Sequence, residues 1–402
     1  MKPSHERIVT THVGSLPRSN KLLGMLGDME AGKTVDRAAF RDQARTEMAE
    51  AVRQQATSGI DIACDGEIPR LGFSIYAKNR MSGFGGHAAR GTVTDFAKFP
   101  KYAEFLARRA GVDTITKSAT TWDMPECVEE ILYDVTQATE ELDLFADVLA
   151  SQSDAADTFT ETFVTAATPG ILSTTLLRNP DHPKYLSDSD YVYALAREMQ
   201  KEYDLIVARG HILQLDAPDL ALERQIMYVD RPLGEFLERV ELHVDAMNQA
   251  LADIPRGKVR LHVCWGNWEG PHVDDIDLEP LLPLLYKAKV GGLSLACANP
   301  RHQHEIELFR RHPPPHDMVL YPGCIDVTYN YLEHPELVAK RILEFIDVIG
   351  DRERVVASTD CGFSTFAGYV MVAEDVAWAK LRALADGAAI ASRKLWGKSY
   401  RT

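Results

Sequence analysis

Leu261-His262-Val263-Cys264-Trp265-Gly266-Asn267 reads as a buried strand that ends at a glycine and opens into a polar loop. Side chains alternate faces along a strand, so His262 and Cys264 point the same way, about 7 Å apart. An imidazole and a thiol converging on one point suit a borderline-soft cation such as zinc. A third donor candidate lies far downstream, where Ser358-Thr359-Asp360-Cys361-Gly362 is again a strand running into a turn. The competing reading is a half-buried histidine and two core cysteines, since free cysteine is among the most buried residue types.

Outward from this strand the same strand-then-helix rhythm recurs. Ile8 to Gly14 is β-branched and runs into Ser15-Leu16-Pro17-Arg18; Ile60 to Cys64 ends in Asp65-Gly66-Glu67. Further strands are expected at Phe163–Ala167, Ile212–Asp216, Val259–Cys264, Gly292–Cys297, Met318–Tyr321 and Val355–Ser358, and helical patterns follow them. Eight strands, each followed by a helix, predict an α/β fold of the (β/α)8 TIM-barrel type; a doubly wound sheet is the alternative. Polar residues decide between them. Ser15, Glu67, Asp216, His262, Cys264 and Cys361 all fall at strand C-terminal ends or just beyond, and in a barrel those ends meet on one face.

Residues from about 71 to 160 break the rhythm. They hold Gly83-Phe84-Gly85-Gly86, read as a flexible turn, an aromatic run (Phe96, Phe99, Tyr102, Phe105) and a helix expected near Glu129 to Leu149. The expectation is one barrel over residues 1–402, with this insertion after strand two covering its C-terminal face.

Composition excludes several function classes. A net charge of −15 argues against nucleic acid as the main partner, because phosphate binding needs a basic face. No apolar run approaches the ~20 residues of a membrane helix. The start, Met1-Lys2-Pro3-Ser4-His5-Glu6, lacks a basic-then-apolar leader. Six scattered cysteines in a chain of 402 residues are not a disulfide framework, so a reducing, cytoplasmic setting is expected.

The strand-end residues suggest a chemistry. A thiol must lose its proton to become a strong nucleophile, and zinc coordination removes that proton outright. His262, Cys264 and Cys361 would supply three ligands and leave a fourth position for a substrate sulfur. Glu67 or Asp216 would anchor an ammonium group or shuttle a proton; an ion pair or a helix cap is the plainer role for each. Gly83 to Gly86 lacks the strand-then-helix context of a dinucleotide loop. Arg301-His302-Gln303-His304-Glu305 offers metal-ligand types but follows Asn299-Pro300 into a helix, so solvated polar residues are the expectation there. Cys297 points away from the Ala296 face and is expected in the core.

With these residues in hand, the chain resembles the catalytic-domain family of cobalamin-independent methionine synthases. The markers are His12-Val13-Gly14-Ser15-Leu16-Pro17-Arg18, Asp65-Gly66-Glu67, Gln214-Leu215-Asp216, His262-Val263-Cys264 and Asp360-Cys361-Gly362. The resemblance implies a zinc-containing barrel that activates a thiol and alkylates it, with His262, Cys264 and Cys361 on the metal. It also implies that Ser15, Glu67 and Asp216 contact the amino-acid part of homocysteine. Three departures stand out. Ala296 occupies the place of the family's fourth ligand, a glutamate. Ala217 replaces the second acid of a QxDE motif, and Thr328 aligns with a proton-relaying histidine. The run Cys264 to His272, with Ala298-Asn299-Pro300-Arg301-His302, is similar instead to short relatives grouped with epoxyalkane:coenzyme M transferase.

The expectation is therefore a zinc-dependent thiol alkyltransferase, with methyl transfer from a methyl-folate to a homocysteine-like thiol first and epoxide opening second. Asp216 and Glu67 are the candidate catalytic residues. Ser15, Arg18, Glu67, Asp216, Trp265 and Asn267 are the candidate substrate contacts, Arg18 facing a carboxylate or sulfonate. Trp265 and Trp268 would stack on a pterin or wall the pocket. His302 and Glu305 are weak candidates for the missing ligand. Two other classes compete: a non-catalytic binding barrel, favoured by the missing glutamate, and a zinc hydrolase, disfavoured by two thiolate ligands. Oligomeric state is left open, a homo-oligomer included.

Overall fold

The computed structural model describes residues 1–109 and 123–397. Its strands are β1 (Ile62–Cys64), β2 (Met81–Ala89), β3 (Asp123–Tyr133), β4 (Glu161–Ala167), β5 (Ile212–Asp216), β6 (Val259–Val263), β7 (Gly292–Leu295), β8 (Val319–Ile325) and β9 (Ser358–Thr359). β1 and β4 to β9 form one sheet in that order, every neighbouring pair parallel.

The sheet closes on itself. Thr11 N–H donates to Ala357 O and Ala357 N–H to Val9 O, both at 2.9 Å, while Ile62 N–H donates to Thr10 O at 3.0 Å. The segment from Ile8 to His12 thus lies between β1 and β9 as the eighth stave, and the doubly wound alternative, which needs two open edges, is excluded. This is the expected (β/α)8 barrel. β5, β6 and β7 are buried at every position, as strands covered on both faces must be, which is why they read as near-continuous apolar runs. Register then fixes the height of the polar strand ends: Leu215 pairs with Leu261 and Leu261 with Leu293, so Asp216 stands level with His262.

Between β1 and β4, β2 and β3 pair antiparallel, and a helix follows from Thr136 to Ser151. Two expectations are corrected here. The helix foreseen from Glu129 begins only at Thr136, because Ile131 and Tyr133 face inward with Leu132 exposed between them, a period of two. Gly83 to Gly86 lies within β2 and is not a turn. At Gly83, with φ of +95°, a Cβ would stand 2.6 Å from Glu130 O, so the ribbon needs its glycine. Residues 110–122 of the expected insertion lie outside the described residues.

Buried charges tie this region to the barrel. Arg80 pairs with Glu202 at 2.9 Å and with Glu141, Arg70 pairs with Glu141 at 3.0 Å, and Tyr76 donates to Glu202 at 3.0 Å. Such a network adds little net stability but fixes one docking arrangement, since removing one member strands the others without solvent. All six cysteines are free and buried. Among the described residues no helix is long and apolar enough to cross a membrane.

Candidate functional site

β6 delivers His262 and Cys264 to the same face, and the turn after β9 delivers Cys361. One ring nitrogen and the two sulfurs lie within 4.8 Å of one another, all buried. A tetrahedral zinc with Zn–S of about 2.3 Å would place its donors roughly 3.5–3.8 Å apart, so the three need only small adjustment. Both ring nitrogens of His262 are buried and have no hydrogen-bond partner. A buried polar atom without a partner is costly, and a thiophilic cation would satisfy it. The donor set fits zinc.

The three groups act as one electrostatic unit. The neighbouring Cys361 thiol holds Cys264 well below the usual thiol range, with burial opposing, and Cys264 in turn drives Cys361 up, with burial adding. Burial lowers His262, yet the sulfur of Cys264 and the charge of Asp216 raise it overall. The turn carrying Cys361 is anchored by its neighbour: Asp360 accepts backbone N–H bonds from Cys297 and Ala298 at Oδ1 and from Asn299 at Oδ2, at 2.7–2.8 Å.

A cavity opens over this group, with Ser15, Glu67, Asp216, His262, Cys264 and Cys361 among its lining residues. Glu67 sits at a φ of +54°, rare for a residue with a side chain, in the turn after β1. Its Oε1 accepts from the Thr165 hydroxyl at 3.0 Å, and its Oε2 is buried without a partner. Gly14 permits this approach, because a Cβ there would lie 2.8 Å from Glu67 Oε1. Burial and then the charge of Asp216 push Glu67 up to about 8; burial pushes Asp216 up to about 6. Two buried carboxyls raised together can hold a proton between them near neutrality.

Beneath them lies a layer the sequence reading did not assign. Gln214 donates to Asp216 Oδ1 at 2.8 Å and accepts from Arg260 Nε at 2.8 Å; Arg260 also donates to His12 O at 2.9 Å and stacks 3.8 Å over Phe163. Each lies two residues before a site residue on its own strand, Gln214 before Asp216 and Arg260 before His262. That spacing, and an arginine inside an apolar strand, was the available signal.

The other expected residues divide. Asn267 lines the cavity, its amide N–H donating to Gly362 O at 2.9 Å and leaving Oδ1 unpartnered. Arg18 is not among the lining residues. Its guanidinium donates to Ile68 O, Ser364 O and Glu67 O. Trp265 also stands off the cavity, donating to Ile276 O at 2.7 Å and stacking on His302 at 3.8 Å; Trp268 is the tryptophan that lines it.

The expectation of solvated polar residues at 301–305 fails for His302 and Glu305. Both are buried, and His302 bridges Glu305 and Asp275 at 2.8 Å each. Neither joins the His262–Cys264–Cys361 group. His272 bonds the same Asp275 at 2.9 Å and stacks on Trp268 at 3.8 Å, so this cluster clamps the loop that follows Cys264. The Thr328 hydroxyl is held by Asp326 at 2.7 Å.

Comparisons with known proteins bear on this arrangement. A family model described as the catalytic domain of cobalamin-independent synthase matches residues 8–100. A methionine synthase of Thermococcus kodakarensis is 24% identical over 389 residues, covering 96% of this chain and 94% of that protein. A 2-hydroxypropyl-CoM lyase of Xanthobacter autotrophicus is 27% identical over 177 residues, 38% of this chain and 45% of the lyase, so that match spans less than half the lyase's length. The solved structure of a B12-independent methionine synthase from Shewanella superposes with a TM-score of 0.70 at 18% identity, covering 98% of this chain and all of that one. At that identity the superposition speaks to the fold alone. Strand-end motifs, the match over residues 8–100 and the barrel point the same way: the chain is similar to the cobalamin-independent synthase catalytic domain.

Proposed function

We propose that this chain is a zinc-dependent transferase that deprotonates a small thiol and alkylates its sulfur, with methyl transfer to a homocysteine-like thiol as the first reading. The observation that carries it is the buried His262–Cys264–Cys361 donor set sharing one cavity with the raised carboxyls of Glu67 and Asp216. Zinc bound there would hold a thiol as its thiolate at neutral pH.

The other steps fall to the chain's own side chains. The Glu67–Asp216 pair accepts the thiol proton, or pairs with the ammonium of an amino-acid substrate. Ser15, whose Oγ accepts from Ser364 N–H at 3.3 Å, and Asn267, through its unpartnered oxygen, position the polar end. The sulfur lone pair forms the S–C bond as the carbon's bond to its leaving atom breaks, and that atom takes its electron pair and a proton. On this reading the 71–160 insertion covers the C-terminal face of a single barrel, with Arg90, Val93 and Phe96 lining the cavity.

Epoxide opening is the second reading. Among the described residues no carboxylate completes the His/Cys/Cys group, and the similarity to the 2-hydroxypropyl-CoM lyase points the same way. The discriminating experiment incubates zinc-loaded protein with homocysteine or coenzyme M and either a methyl-folate or a short alkyl epoxide, with mass spectrometry of the S-alkyl product. S-methyl product supports the first reading and hydroxyalkyl thioether the second. No thioether from any pairing contradicts both and leaves a binding barrel.

A further inference from the structure

Alkyl transfer needs a group to receive the atom that leaves the donor carbon. That oxygen or nitrogen gains an electron pair as the carbon passes to sulfur, and a hydrogen-bond donor fixed in a dry wall stabilises the charge better than water does. Thr328, aligned above with a proton-relaying histidine, is not placed to give that bond. Its hydroxyl donates to Asp326 at 2.7 Å, and it does not line the cavity. Most of the serine and threonine hydroxyls that do line the cavity are engaged. Thr175 donates to Ile171 O at 2.8 Å, Ser15 Oγ accepts from Ser364 N–H at 3.3 Å, and Thr365 Oγ1 accepts from the Asn267 amide at 3.5 Å.

Ser74 is the exception. It lines the cavity, is 1% exposed, and its buried Oγ has no hydrogen-bond partner. It stands at the N-cap of the short 3-10 helix Ile75–Asn79, where a serine ordinarily spends its oxygen on a backbone N–H two or three residues on. No such cap bond forms here. The backbone around it is nonetheless held: Phe73 N–H donates to Thr365 O at 3.1 Å, Ala367 N–H to Leu71 O at 2.7 Å, and Ser74 O accepts from Ala77 N–H at 3.2 Å. Phe73 and Phe366, ring centroids 5.4 Å apart, make the wall beside it apolar. A buried hydroxyl that serves neither a helix nor a neighbour is costly to fold around, and an acceptor atom of a ligand would satisfy it.

Resting on the reading of this site as a thiol alkyltransferase, we propose that Ser74 is a catalytic residue whose hydroxyl donates to the leaving oxygen or nitrogen of the alkyl donor. The sulfur lone pair forms the S–C bond, and the C–O or C–N bond breaks with its pair on the leaving atom. Ser74 Oγ–H bonds that atom as the charge builds. The proton that the thiol gave up to the Glu67–Asp216 pair ends on it, leaving an alcohol or an amine.

The test supplies zinc-loaded wild type and Ser74→Ala with homocysteine or coenzyme M and, in turn, methyl iodide, propylene oxide or a methyl-folate as donor. Iodide departs with its electron pair and needs no proton, whereas the other two leave through oxygen and nitrogen. Ser74→Ala is expected to cut the oxide or folate rate about a hundredfold more than the iodide rate, the scale of a lost oxyanion donor. Urea unfolding of the zinc-free proteins gives a second readout: deleting an unpartnered hydroxyl should leave the midpoint unchanged or raise it. An equal loss with every donor, or no loss, overturns the proposal. So does a lowered midpoint or a variant that does not fold, since the hydroxyl would then serve the fold. Wild type that alkylates from iodide and from neither other donor removes the role of Ser74 and leaves thiol activation standing. Wild type inert with all of them overturns the transfer reading itself.

Discussion

Replacing Gln214 by methionine removes the centre of the layer beneath the site while keeping its length and volume. The buried amide donates to Asp216 Oδ1 at 2.8 Å and to Val13 O, and its oxygen accepts from Arg260 Nε at 2.8 Å. Methionine fills the same space, so the cavity contribution is small. All three bonds vanish at once, two of them to groups that carry charge. A buried group left without its partner costs about 1–3 kcal/mol, more at a charge. Bonds sharing one side chain do not add in full, so the expected loss is about 3–6 kcal/mol. Equilibrium urea unfolding, followed by tryptophan fluorescence and circular dichroism, reads this as a lower midpoint at constant slope. The change also takes away a hydrogen bond that favours the Asp216 carboxylate, so that carboxyl, at about 6 mainly through burial, moves higher. A loss below about 1 kcal/mol would refute the reasoning, since an amide holding three buried partners cannot be removed so cheaply.

Two further outcomes follow from the geometry. His302 is opposed by burial, yet its bonds to Asp275 and Glu305 outweigh that and push it up to about 9. Its contribution, about 3 kcal/mol, is complete below the unfolded value near 6.5 and is lost as pH rises through 9. The stability difference between wild type and His302→Gln should shrink by that amount between pH 6 and pH 9.5, and a pH-independent difference would contradict the charged cluster. Thr165→Val removes the hydroxyl that links Arg70, at 3.1 Å, to Glu67 Oε1, at 3.0 Å. Glu67 should then bind its proton more tightly, seen as a larger protonated-carboxyl band in infrared difference spectra at pH 7; an unchanged band would show that Thr165 does not set its charge.

The period of two along strands made much of the barrel and its polar rim legible. His262 and Cys264 share a face because they are two apart, and Asp216 and Glu67 were found because they end strands. The structure brings His262 and Cys264 together with Cys361, which arrives from a distant strand end that the spacing of two does not reach. What the spacing could not convey was where each side chain's hydrogen bonds go. Arg18 and Trp265 occupy conspicuous motifs, yet backbone carbonyls claim both, Ser364 O for Arg18 and Ile276 O for Trp265. The same blindness hid His302, whose partner Asp275 lies in a different loop, and Glu305, which accepts from the Leu278 backbone N–H and bonds His302. The β2–β3 ribbon was misread at Glu129 because Cys127 and Ile131, four apart and both buried, mimic a helical stripe. Phe73 and Phe366 converge from distant loops, and no local pattern announces such a wall.

The central claim is that His262, Cys264 and Cys361 hold zinc with a position open to a substrate thiol. Elemental analysis of wild type and Cys361→Ser, followed by zinc-edge absorption with homocysteine or coenzyme M added, tests it most directly. The account predicts stoichiometric zinc in wild type, its loss in a folded Cys361→Ser, and one new Zn–S distance near ~2.3 Å when a thiol is added. Wild-type protein that takes up no zinc, or zinc whose sulfur shell is unchanged by either thiol, would contradict it.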